Sequence, residues 1–300
     1  MWAVAAVFLI PIAVAVVSEA PAEFPHSVVY KSFSTALSEC AEYFQVPNCT
    51  LDRYIQDSYP NNDDVKRLIR CVLINLNGWS DEAGVRENVL GNFFQPLTDD
   101  KCYSNRTKEC IKRAYEDLEQ DDHYSRAYES FYCYYTQHGN LVQSDQFIPS
   151  EPYELKQLVL TGLLMANLPK QVLVKYSKGD ILNDSYFPSI LLLFCVRGGY
   201  YSIYSGIQLK NIYTQLGYPE LLSPEVQQCC GKVSQSLRNA DHATHLIKMM
   251  KKCLKYNLTM IAALFEKGAK ALIGAKSSPA YKEEQSSVRS GKFYNRVFVD

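Results

Sequence analysis

Residues 65–77, VKRLIRCVLINLN, decide the fold class. Their apolar side chains recur at the three- and four-residue steps of one helical face, with Lys66, Arg67 and Arg70 off that face. Residues 189–201, SILLLFCVRGGYY, answer this stretch, with Cys71-Val72 lining up on Cys195-Val196. The text after each copy keeps step. Gly84-Val85, followed by Arg86, Glu87, Asn88 and Val89, corresponds to Gly206-Ile207, followed by Gln208, Leu209, Lys210, Asn211 and Ile212. Cys110 and Cys133 stand 23 positions apart and reappear as Cys230 and Cys253 at an offset of 120, and Asp122-His123 is echoed by Asp241-His242. A common offset near 120 predicts two tandem copies of a whole domain, since solenoid units run to about 20 to 50 residues.

Working outward, further helical stretches are expected over 28–40, 82–94, 105–119, 125–138, 155–166, 206–216, 224–238, 243–257 and 258–273. Ser223 before Pro224, with Glu225 in the first turn, is a good helix start. Strand alternation is scarce, so the class is all-α. The loop-like run Ile148-Pro149-Ser150-Glu151-Pro152 divides a first domain, residues 23–148, from a second, more degenerate one, residues 149–274. Residues 275–300 are polar and mixed in charge and read as a flexible tail.

Composition fits this picture. The chain has 300 residues, 47% of them hydrophobic, with 31 basic against 32 acidic groups and a net charge of -1. No basic field is present to attract nucleic acid. The apolar run from Trp2 to Val17, closed by the small-x-small pair Ala20 and Ala22, reads as a secretory signal peptide over residues 1–22. It is shorter than the roughly 20 residues of a membrane span and is interrupted by Pro11. An extracellular destination makes ten cysteines interpretable as bridges. The sequons at Asn48, Asn105, Asn183 and Asn257 fit the same route. Metal ligation is the weaker reading, because no Cys-x-x-Cys pair occurs and His242 with His245 lacks companions.

A helical domain with Cys40 on its opening helix, Cys71 about thirty residues on, a long gap, then Cys110 and Cys133, resembles the insect pheromone- and odorant-binding protein family. The segments Arg70-Cys71-Val72-Leu73 and Phe131-Tyr132-Cys133-Tyr134-Tyr135 are similar to family segments. Family domains carry six cysteines, and the two partners of one bridge are absent here together, at Arg67 and Tyr124. The resemblance implies bridges Cys40–Cys71 and Cys110–Cys133, with Cys49 and Cys102 left as a further pair. In the second copy it implies Cys230–Cys253, with Cys195 and Cys229 orphaned, free to bridge each other or another copy. The two-domain layout is similar to that of the double-domain members from mosquitoes.

What the resemblance implies chemically is a secreted carrier whose bridged helical shell encloses a pocket for a small hydrophobic or amphipathic ligand, with no cofactor. The expected lining is aromatic: Tyr43, Phe44, Trp79, Phe93, Phe94, Tyr115, Tyr128, Phe131, Tyr132 and Tyr135 in the first copy. In the second copy it is Phe194, Tyr200, Tyr201, Tyr204, Tyr213 and Tyr218. Aromatic walls with an occasional hydroxyl suit a ligand bearing one polar group; ordinary core is the competing reading of each residue. His123 and His242 hold matched places and could release ligand on acidification. No hydrolase, metalloprotease or phosphate-loop motif appears, and no nucleophile has an evident base, so an enzyme is not expected. The alternative is a secreted structural or scavenging protein, of matrix, eggshell or salivary type, whose 22 tyrosines serve oxidative cross-linking.

Overall fold

The computed structural model describes residues 30–237 and 239–277. The signal peptide expected at residues 1–22 lies outside the described residues, as does the tail expected at 275–300 except for residues 275–277, which continue the last helix. The chain runs through β1 (Tyr30–Lys31), α1 (Phe33–Tyr43), α2 (Asn48–Gln56), α3 (Asp63–Asn75), β2 (Trp79–Ser80), β3 (Gly84–Val85), α4 (Glu87–Leu90) and β4 (Phe94–Gln95). It continues through α5 (Tyr103–Glu116), α6 (His123–Cys133), a π-helical turn at Tyr134–His138, β5 (Asn140–Leu141) and β6 (Gln146–Phe147). Beyond the Pro149 loop come α7 (Pro152–Met165), α8 (Lys170–Tyr176), α9 (Phe187–Arg197), β7 (Tyr201–Ser202), β8 (Gly206–Ile207), α10 (Leu209–Leu216), α11 (Pro224–Ser236), α12 (His242–Lys252) and α13 (Lys255–Ser277). The strands form antiparallel pairs β1–β6, β2–β3, β4–β5 and β7–β8. The fold is all-α, with these two-residue ladders as clasps.

α3 shows how the sequence dictates the fold. The Asn62 side chain accepts from the Val65 N–H at 3.0 Å, and Asp63 and Asp64 face the positive end of the helix dipole. Val65, Leu68, Ile69, Val72, Leu73 and Leu76 are completely buried. Burying each such side chain contributes about 1.5–3 kcal/mol. α1 and α6 pack on this helix, and with Phe33, Phe93, Phe94, Tyr128 and Phe131 they make the first core. The second core is more aliphatic, built from α7, α8, α9, α12 and α13 around Leu191, Phe194, Leu246 and Phe265. Asp122 and Asp241 turn out to be matching helix caps, accepting from the N–H of Ser125 and of Thr244, each at 2.9 Å.

Three expected helices begin elsewhere: the one expected over 28–40 starts only at Phe33, after β1. Over 82–94 the chain makes the β2–β3 hairpin before a single helical turn, and the helix expected from Gly206 starts only at Leu209 after the β7–β8 hairpin. Gly84 and Gly206 hold φ of +79° and +80°, left-handed values that suit glycine and close the same turn twice. Two helices, α2 and α8, stand where none was expected. α2 buries no residue fully, so its apolar face carries little signal.

Three disulfides form: Cys40–Cys71, Cys110–Cys133 and Cys229–Cys253. The third corrects the expected Cys230–Cys253. Adjacent residues point about 100° apart on a helix, and Cys230, with Val226 and Val233, belongs to the stripe of α11 packed near Met249. Cys229 is the neighbour turned toward Cys253. The further pair expected of Cys49 and Cys102 does not form either; both are exposed and unbridged, while Cys195 and Cys230 are buried and unbridged.

Candidate functional site

The cavity with the most apolar walls lies in the second core. Leu155 of α7, Phe194 and Cys195 of α9, Ile212 and Leu216 of α10, Leu246 and Met250 of α12, and Met260, Ile261 and Leu264 of α13 surround it, with Tyr200 and Gln215 at one end. Its volume is about 50 Å³, where one water takes about 10–15 Å³. Walls of this chemistry leave a void dry and open to an apolar guest. Met250 and Met260 are the adaptable parts of the lining, since an unbranched thioether re-packs at low cost.

The polar end is tightly wired. Tyr200 Oη donates to Gln215 Oε1 at 2.9 Å, the Ser150 N–H donates to the same oxygen at 2.8 Å, and Gln215 Nε2 donates to the Ser150 carbonyl at 3.0 Å. The cavity thus touches the loop between the two cores. α10 extends the wiring: Asn88 and Asn92 donate to the carbonyl and hydroxyl oxygens of Thr214 at 2.7 and 2.6 Å, and Asn211 donates to Tyr30 Oη at 2.8 Å. Burial pushes both the Tyr200 phenol and the Cys195 thiol well above their ordinary values, so both stay protonated.

The expected lining divides accordingly. Phe194 and Tyr200 line this cavity, while Tyr213 packs at the edge of the second core. Tyr201 instead hydrogen-bonds His242 Nδ1 at 2.9 Å. Tyr204 and Tyr218 are exposed. In the first half the aromatics fill the core. Phe93, Phe94, Tyr128 and Phe131 are buried, and Phe33 and Phe131 stack with centroids 5.3 Å apart. Trp79 Nε1 donates to Asp81, Tyr115 shares a 2.6 Å hydrogen bond with Ser130, and Phe44 lies under the Arg67 guanidinium. Tyr43 and Tyr132 face solvent, and Tyr135 opens onto a cleft between α1, α2 and the π-helical turn. Cys195, Met250, Met260 and Gln215 were missed by an aromatic criterion; the offset of Cys195 from any partner cysteine was the one signal pointing at them.

Asn105 and Asn183 are exposed, and the side chain of Asn257 lies outside the described residues. Among the described residues no helix is long and apolar enough to cross a membrane, and no group of three or more His, Cys, Asp or Glu is placed to hold a metal ion.

Comparison with known proteins agrees with the disulfide frame. Residues 26–137 match the model of the PBP/GOBP family. General odorant-binding protein 69 of Anopheles gambiae is 30% identical over 158 residues, covering 49% of this chain and 68% of that protein. No solved structure matches significantly. With bridges Cys40–Cys71 and Cys110–Cys133 inside the matched region and the identity extending beyond it, the chain belongs to the PBP/GOBP family.

Proposed function

We propose that this chain is a non-catalytic carrier of small, neutral hydrophobic or amphipathic molecules, working by reversible encapsulation. The observation that carries the reading is the apolar cavity of the second core, closed by Met260 and ending at the Tyr200–Gln215 pair. The relative named as an odorant-binding protein supports the same class of ligand. A guest larger than a few waters displaces Met260, which is 39% exposed and stands at the rim. We take the organisation to be two tandem copies, the second having lost the counterpart of Cys40–Cys71 and gained the roof formed by α13, and the whole to be exported by the leader at residues 1–22.

The experiment is titration of the oxidised protein with N-phenyl-1-naphthylamine, an apolar fluorescent probe. Saturable micromolar binding, weakened tenfold or more in Met260→Trp, is the expected result. Absence of binding in folded, bridged protein overturns the reading. A second reading has its own support: seven tyrosines, Tyr43, Tyr124, Tyr132, Tyr153, Tyr186, Tyr204 and Tyr218, are exposed, as oxidative cross-linking in a matrix requires. Dityrosine fluorescence in the native tissue, together with failure of probe binding, would favour it.

A further inference from the structure

A cleft of about 540 Å³ opens on the first half, separate from the second-core cavity. Its floor is Phe33, Tyr59 and Tyr135 and its sides are Leu37, Ile55 and Leu141. Tyr59 is held there from every direction. Its N–H donates to the Tyr54 carbonyl at 2.7 Å, and its carbonyl accepts from Tyr128 Oη at 2.8 Å. Its ring meets Phe131 and Tyr135 edge-on, with centroids 5.1 and 5.5 Å away. Ser58 and Tyr59 both take left-handed φ, +56° and +58°, a strained arrangement for two side-chain-bearing residues that persists only when the surroundings enforce it.

The residue so fixed is 4% exposed, yet its hydroxyl has no hydrogen-bond partner among the described residues, and no described side-chain oxygen or nitrogen is both dry and unpaired. The Tyr59 hydroxyl therefore points into the cleft. Burial pushes its pKa up to about 12, which keeps it a donor. No lysine, arginine, histidine, aspartate or glutamate lines the cleft, so a charged guest would find no counter-charge. Cleft size lies within the range of small-molecule sites, about 300–1,000 Å³.

We propose that this cleft is a second binding site, for neutral aromatic or cyclic molecules bearing a carbonyl oxygen, which the Tyr59 hydroxyl anchors by donating a hydrogen bond. It rests on the carrier reading but uses different residues and a different ligand chemistry. The two sites are unlike: one is aliphatic and sulfur-rich, the other aromatic, with the Tyr59 hydroxyl among the polar side chains of Ser34, Asn140 and Gln143.

The probe is 6-propionyl-2-dimethylaminonaphthalene, a neutral naphthyl ketone whose emission moves to the red when its carbonyl accepts a hydrogen bond. With the full chain we expect saturable binding. Tyr59→Phe keeps the ring and its packing, and is expected to weaken that binding about five- to tenfold and move the bound emission to the blue. Ile55→Trp, at an exposed wall position on α2, should block the cleft while leaving the fold intact. Met260→Trp should leave this binding unchanged. Ketone binding that ignores Tyr59→Phe and Ile55→Trp but is abolished by Met260→Trp overturns the second site and leaves the carrier reading standing. Absence of ketone binding overturns the second site as well, and absence of both probes overturns the two together.

Discussion

The two halves solve the same helical problem with opposite use of space. In the first, two disulfides frame a core filled by interlocking rings, and the open volume is pushed outward to the Tyr59 cleft. In the second there is one disulfide, the core is largely aliphatic, and an apolar cavity lies beside the unbridged Cys195. Where Cys40 meets Cys71 in one half, Cys195 meets no cysteine in the other. The half with one bridge is the half with the apolar cavity, and α13 supplies part of its wall.

The sharpest way to break this contrast is a matched pair of truncations. Phe131→Ala removes a ring packed against Phe33, Tyr59, Phe94 and Tyr135 and should cost about 3–5 kcal/mol. Phe194→Ala should cost less, because Phe194 already borders a void and has fewer partner atoms on that side. Urea unfolding followed by circular dichroism measures both. Equal costs would mean that the second core is as full as the first.

Next in size are the bridges. Removing Cys40–Cys71, which closes a separation of 31 residues, should cost about 3–4 kcal/mol on chain-entropy grounds. Cys229→Ala should cost nearly as much, through the Cys229–Cys253 bridge, whereas Cys230→Ala should cost only about 1 kcal/mol of buried contact. The reverse order would restore the pairing that the offset of 120 suggests. Titration of thiols in denatured, non-reduced protein should find four, at Cys49, Cys102, Cys195 and Cys230.

That pairing marks the limit of what spacing can say. A one-residue slip between repeats is invisible in a cysteine count and decisive on a helix, where it turns the side chain by about 100°. The helical class and the capped helix start at Ser223 were legible because periodicity and capping are local. The hairpins at Gly84 and Gly206 were not, since two-residue strands carry no alternation. Nor was the fate of the aromatics. Phe131 and Phe194 look alike in sequence, and only tertiary packing makes one a filled core residue and the other a cavity wall. Tyr59 was overlooked for a related reason: its importance lies in a left-handed backbone and an unpaired hydroxyl, neither of which residue type announces.

The smallest expected difference is the response to acid. In the first half, hydrogen bonds from Lys31 and Asn75 hold the Glu39 carboxyl below its ordinary value, and Arg70, then Trp79, do so for Asp81. A carboxyl depressed in the folded state adds stability above its unfolded-state value and loses it as pH falls from about 4 through the folded-state value. In the second half only Asp241 is held down among the described residues, by the Thr244 N–H. Glu129, pushed up by burial, works in the opposite sense. Asp81 is partly exposed and water screens its pair with Arg70, so Asp81→Asn should change stability at pH 7 by less than about 1 kcal/mol. It should also flatten the acid limb of the stability curve; a wild-type limb in the variant would remove Asp81 from the account.

The orphaned thiol of Cys195 has a kinetic consequence. It lies in the cavity wall, 2% exposed and protonated, so its alkylation by a small thiol reagent reports the openings that expose it. Its alkylation rate therefore counts openings of the second core one by one, and a guest that holds the cavity shut lengthens the interval between them. The protein thus carries, in one unbridged sulfur, its own clock for openings of the second core.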